Sequence, residues 1–139
     1  MKRPKIYHII DDDSDDQQFL IDALADNDQT VKCFTAPNGQ EGIRNLTAGM
    51  IPLPDAIFLD LNMPGMNGKQ CLLELKRTPS LQHIPVVIYS TSSDKKEMAQ
   101  VMEMGAFHFL VKAFSLKSLE KELSIILTAL NEVESVQLA

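Results

Sequence analysis

The run Ala56-Ile-Phe-Leu59 is apolar without interruption and then stops on a carboxylate, Asp60. A short run with no polar alternation suits a strand covered on both faces, as in a parallel sheet flanked by helices. Pro64-Gly65 and Asn67-Gly68 follow and break any continuation, so Asp60 is displayed on a loop at the carboxyl end of its strand. Ligand sites of open α/β sheets gather at strand ends of this kind. A single acid there also serves as a turn residue or helix cap, so other parts of the chain must decide its role.

Three further runs repeat the pattern. Ile6-Tyr-His-Ile-Ile10 enters Asp11-Asp12-Asp13, Val86-Val-Ile-Tyr89 enters Ser90-Thr91, and Phe107-His-Phe-Leu-Val111 enters Lys112. Each is an apolar strand that ends in a residue type useful for phosphoryl chemistry. Between them, helical spacing alternates with strands. The first strand covers about Lys5 to Ile10, and a helix starts near Ser14, where Ser14-Asp-Asp-Gln17 has capping-box spacing and Phe19, Leu20, Ala23 and Leu24 make the buried stripe. A second strand spans about Val31 to Ala36, and a short helix carrying Ile43 and Leu46 finishes at Gly49. A third helix covers Lys69 to Arg77 before Pro79, and a fourth begins at Ser93 and stops at Gly105. The last helix, about Ser115 to Leu130, has a clean amphipathic pattern, leaving 132–139 as an expected frayed tail.

Five β-α pairs without an internal repeat imply a doubly wound parallel sheet. Right-handed crossovers then bring Asp11, Asp12, Asp60, Ser90 and Lys112 to one edge. A chain of 139 residues, 45% hydrophobic, is enough for one domain with a core that needs no disulfide or metal staple. Its net charge of −6 gives no electrostatic footprint for nucleic acid or anionic lipid, which points to protein partners. Cys33 and Cys71 form no CxxC pair and read as reduced core residues of a cytoplasmic protein. The basic start, Met1 to Lys5, lacks the apolar stretch of a signal peptide or membrane span.

The acidic pair Asp11-Asp12, then Asp60, Ser90 and Lys112, each after its own strand, resemble the receiver domains of two-component response regulators. Met63-Pro64-Gly65 and Gly105-Ala106 add to the match, which covers about residues 4–131. The resemblance implies a flavodoxin-like (βα)5 fold with strand order 2-1-3-4-5. It also implies a phosphorylatable switch rather than an enzyme, with 1–139 as a single, stand-alone receiver domain. Asp60 would be the phosphoacceptor. Asp12 and Asp60 would hold Mg²⁺ directly, Asp11 would act through water, and the Asn62 backbone carbonyl would add a further oxygen. Lys112 would neutralise a phosphate oxygen and the Ser90 hydroxyl would bond another. Ser90 and Phe109 would move together, changing a protein-binding face made by helix four, strand five and helix five. The implied partners are a sensor histidine kinase or phosphotransfer protein, a downstream protein and, as one option, a second copy of the chain.

Two departures stand against the family pattern. Ala113 follows the lysine where proline is usual, so a trans Lys112–Ala113 bond is expected. Ser90 stands where threonine is common, and the hydroxyl survives that change. Three rival readings use the same residues. A haloacid-dehalogenase-like phosphatase would take Asp11 as nucleophile, but the chain is short for that and lacks a late acidic pair. A calcium loop through Asp11, Asp13 and Asp15 lacks the required glycine, since Asp16 stands in its place. A degenerate receiver that binds partners without phosphorylation is hard to square with intact Asp12, Asp60 and Lys112. Asp15 and Asp16 read as acids favoured by a helix N-terminus.

Overall fold

Parallel pairing with both faces covered is what the uninterrupted apolar strands demand, and it is what the computed structural model contains. It describes residues 3–112 and 115–138. In chain order the elements are β1 (Ile6–Ile10), α1 (Ser14–Asn27), β2 (Lys32–Ala36), α2 (Gly39–Thr47) and β3 (Ala56–Leu59), followed by α3 (Gly68–Arg77), β4 (Val86–Ser90), α4 (Lys95–Glu103), β5 (His108–Val111) and α5 (Leu116–Leu138). The sheet has five strands in the order β2-β1-β3-β4-β5, all parallel, which is the expected flavodoxin-like arrangement.

Alternation along the strands divides the core into two layers. Ile10, Ile57, Leu59, Ile88 and Phe109 face Leu46 of α2, Cys71, Leu72 and Leu75 of α3, and Val101 of α4. Tyr7, Ile9, Phe58, Val87, Tyr89 and Leu110 face Leu20, Ala23 and Leu24 of α1 and Leu119, Leu123 and Ile126 of α5. Both faces of β3 are fully buried, so Asp60 follows a strand with no freedom to slide. Burial pushes the thiol pKa of Cys33 up to about 11 and that of Cys71 up to about 12, which suits inert, protonated sulfurs; Cys71 lies in the core as expected, whereas Cys33 is only half-buried against it.

Three local readings change. The N-cap of α1 is Asp13 rather than Ser14, its side chain accepting from the amides of Asp15 and Asp16. Gln17 does not close a capping box. Its Nε2 instead donates to the carbonyls of Asp11, at 2.6 Å, and Ala36, at 3.3 Å, tying α1 to the ends of β1 and β2. At the other terminus, the stretch expected to fray from 132 continues α5 to Leu138, because no Gly or Pro interrupts it and Glu, Gln and Leu are good helix formers. The Asn67 cap of α3 does carry a full capping box, with Gln70. The Lys112–Ala113 bond lies outside the described residues.

Candidate functional site

The backbone ladder runs one step past the strands and thereby sets the site. The Asp11 amide donates to the Ala36 carbonyl at 3.1 Å, that of Asp60 to Ile10 at 2.9 Å, and that of Lys112 to Ser90 at 2.7 Å. These bonds fix three of the side chains at the carboxyl edge before any side-chain contact is counted. The loop after Asp60 is held as tightly. The Gly68 amide donates to the Leu61 carbonyl at 2.9 Å, and a Cβ on Gly68 would lie 2.2 Å from the Asp60 carbonyl oxygen. Only glycine lets α3 start this close to the acid's own peptide.

Asp11, Asp12 and Asp60 come together: carboxylate oxygens from the three lie within 4.8 Å of one another. Asp11 and Asp60 are buried, whereas Asp12 is exposed to solvent. Asp11 Oδ1 accepts from the Asp13 amide at 2.9 Å, and Asp60 Oδ1 accepts a long bond, 3.4 Å, from the Asn62 amide. Burial first, and the charge of Asp11 next, push the Asp60 pKa up to about 7. Asp11 is raised too, again chiefly by burial, against the pull of the Asp13 amide and Lys112.

Lys112 supplies the counter-charge. Its Nζ lies 3.0 Å from Asp11 Oδ2 and 3.8 Å from Asp60 Oδ1, and 5.4 Å from the centre of the Tyr89 ring. Burial opposes the ammonium form, yet the Asp16 and Asp11 carboxylates outweigh it and raise the lysine pKa. The strongest contact of Lys112 is one that sequence reasoning missed, a hydrogen bond of 2.8 Å to Asp16 Oδ2. Asp16 reads from the sequence as a helix-dipole acid, and nothing in its spacing signals a lysine 96 residues away.

Ser90 is fully buried, and its Oγ accepts from the Ser92 amide at 3.2 Å. Phe109 is buried on the α4 side of the sheet. Asn62 is exposed beside the acids. Asp13 is committed to the start of α1, so the alternating acids of a calcium loop do not converge, and the third acid of the cluster comes from the end of β3 instead.

The donor set suits a hard divalent cation. All three acids offer oxygen. Asp11 Oδ2 is buried, and the cationic group facing it is the Lys112 ammonium, 3.0 Å away. Chemically, the edge offers a cation three carboxylates, with an ammonium beside them.

Comparison with known proteins bears on this arrangement. Residues 8–124 match the family described as the response regulator receiver domain. Response regulator Rcp1 of Synechocystis sp. is 39% identical over 70 residues, covering 50% of this chain and 48% of Rcp1. The DNA-binding transcriptional regulator NtrC of Escherichia coli is 33% identical over 111 residues, 80% of this chain and 22% of NtrC. The matched part thus spans less than half the length of these curated relatives. Among solved structures, the Mn(2+)-bound form of Rcp1 is similar with a TM-score of 0.78 and 28% identity, covering 88% of this chain and 91% of that one. The phosphorylated cyanobacterial phytochrome response regulator RcpA has a TM-score of 0.80 at 28% identity, with coverage of 88% and 91%.

Proposed function

Since the chain belongs to the response regulator receiver domain family, we propose that it is a phosphoacceptor switch whose acceptor is Asp60. The observation that carries this is the position of Asp60, set among Asp11, Asp12 and Lys112 at the carboxyl edge. Asp11, the nucleophile of the phosphatase alternative, has one oxygen engaged by the Asp13 amide and is the more deeply buried of the two.

In this reading a carboxylate oxygen of Asp60 forms a bond to phosphorus as the bond between phosphorus and the donor, a histidine nitrogen of a kinase or phosphotransfer protein, breaks. Asp11, Asp12, Asp60 and the Asn62 carbonyl would hold Mg²⁺. The cation supplies charge neutralisation between the acceptor and the phosphoryl oxygens, the repulsion that most opposes the reaction. Lys112 balances a second oxygen as a point charge. Ser90 turns its Oγ from the Ser92 amide toward a third, and Phe109 shifts with it. The surface altered is α4, β5 and α5, where Met102, Val111 and Leu116 are exposed. Met98 and Met104, by contrast, pack against the core. The fitting occupant of that surface is a downstream protein or a second copy of the chain. No described helix is long and apolar enough to cross a membrane, and with the unpaired cysteines this supports a cytoplasmic setting. We take the chain as a single receiver domain that only accepts and loses phosphate.

Incubation with acetyl phosphate and Mg²⁺, then borohydride trapping and peptide mapping, is expected to place the label on Asp60 and to lose it in chelator. Label on Asp11 would replace this reading with the phosphatase. Sedimentation of the same samples reports on the face: equal association with and without phosphate removes the phosphorylation-coupled dimer.

A further inference from the structure

Lys112 has three N–H donors, and their arrangement is uneven. The nearest carboxylate oxygen belongs to Asp16, at 2.8 Å, and the farthest of the three acids is the proposed acceptor, at 3.8 Å from Asp60 Oδ1. Asp16 is not placed by chance rotation of a loop. It stands in the first turn of α1, where its amide donates to the Asp13 cap at 3.2 Å, so the helix start aims its side chain at the lysine. The two acids that hold the ammonium also differ in what release would cost. The Asp11 side chain is 1% exposed and cannot be left without its counter-ion cheaply, whereas that of Asp16 is 36% exposed and returns to water.

From this geometry we propose that Asp16 is a positioning residue that holds Lys112 away from Asp60 in the unphosphorylated protein. The lysine is handed from Asp16 to the phosphoryl group on phosphorylation. The inference rests on Asp60 being the acceptor. Asp16 touches neither acceptor nor phosphate. It acts through the lysine, as a competitor that the phosphoryl oxygens must displace, so it lowers the affinity of the site for a phosphoryl group and biases the chain toward its unphosphorylated state.

The test uses beryllofluoride as the probe, at saturating Mg²⁺, with the full chain. Asp16→Asn is expected to bind it up to about fivefold more tightly than wild type, the upper end of the range of a partly exposed charge pair. Asp16→Glu, which keeps the carboxylate, should stay near wild type. In a Lys112→Met background, Asp16→Asn should change nothing, since the competitor then has nothing to hold. Should Lys112→Met fold poorly, the Lys112 side-chain nitrogen resonance gives an independent reading. Beryllofluoride should move it in wild type, and Asp16→Asn should move it part of that way before any probe is added. Equal or weaker probe binding by Asp16→Asn, the same gain with Lys112→Met, or an unmoved lysine signal would each overturn the hand-over while leaving Asp60 as acceptor. A wild type that takes up no beryllofluoride overturns both.

Discussion

Strand β3 carries an aspartate at each end, and the two could hardly be treated more differently. Asp55, at the amino end, accepts from the Ile6 amide at 2.8 Å and from Arg3 Nη1 at 3.0 Å, and these partners outweigh its partial burial and lower its pKa. Asp60, at the carboxyl end, is buried beside Asp11 with one long amide bond, and its pKa rises to about 7. The same side chain, four residues of strand apart, is a satisfied anchor in one place and a frustrated charge in the other. Deeper burial is the first reason, and the neighbours widen the gap: Asp55 has donors at hand, whereas Asp60 has the charge of Asp11 beside it, only partly offset by Lys112. Frustration of that kind is kept where a ligand will relieve it.

The contrast breaks most sharply in the pH dependence of stability. The carboxyl of Asp60 titrates near 3.8 when unfolded and near 7 when folded, so the folded chain binds the extra proton between those values. Stability therefore falls as pH rises through that window, and the cost is complete above about 7. In chelator, Asp60→Asn should exceed wild type by up to about 4 kcal/mol at pH 7.5, converted at about 1.4 kcal/mol for each pKa unit. Paired urea melts should show the gap closing toward pH 4. A gap that is constant with pH would mean that Asp60 is not ionised against its neighbours.

Asp55 should behave in the opposite sense. Asp55→Asn is expected to lose about 1–2 kcal/mol at neutral pH, the scale of hydrogen bonds to a charged group reduced for solvent at Arg3. Its folded pKa is lowered, so that contribution is present above the unfolded value of 3.8 and disappears as pH falls through the folded one. The same melts carried below pH 4 check it, and a loss that persists in acid would point to packing instead of charge.

The smallest effect expected is that of exposed Asp12. Asp12→Ala should raise the melting temperature of the metal-free protein by roughly a degree or two, by removing one repelling charge near Asp60. It should also abolish the rise that millimolar Mg²⁺ gives to wild type. Scanning fluorimetry with chelator and with Mg²⁺ decides it: an Asp12→Ala protein that melts lower and still responds to Mg²⁺ removes Asp12 from the cation site.

How much of this could be read from the chain follows from the range of each interaction. Asp11, Asp60, Ser90 and Lys112 were legible because each ends an apolar run, and a parallel sheet brings such ends to one edge without any further information. The cap of α1 is ambiguous in the sequence because Asp13 and Ser14 are both good caps, and only the three-dimensional path shows which oxygen reaches the amides of Asp15 and Asp16. Gly68 was visible as a turn former, but its close approach to the Asp60 carbonyl depends on where α3 docks. The place of Asp16 in the first turn of α1 is legible, while its bond to Lys112 crosses most of the chain and has no local signature.

The order of the strands has a bearing on how the protein is made. β1 lies between β2 and β3, so the two strands that carry Asp11, Asp12 and Asp60 at their carboxyl ends, β1 and β3, both belong to about the first half of the chain to leave the ribosome. Ser90 and Lys112 arrive only with β4 and β5, added outward from β3. A nascent chain still lacking β5 would have all three acids and not the ammonium that balances them. Docking of β5 is then driven electrostatically as well as by apolar burial.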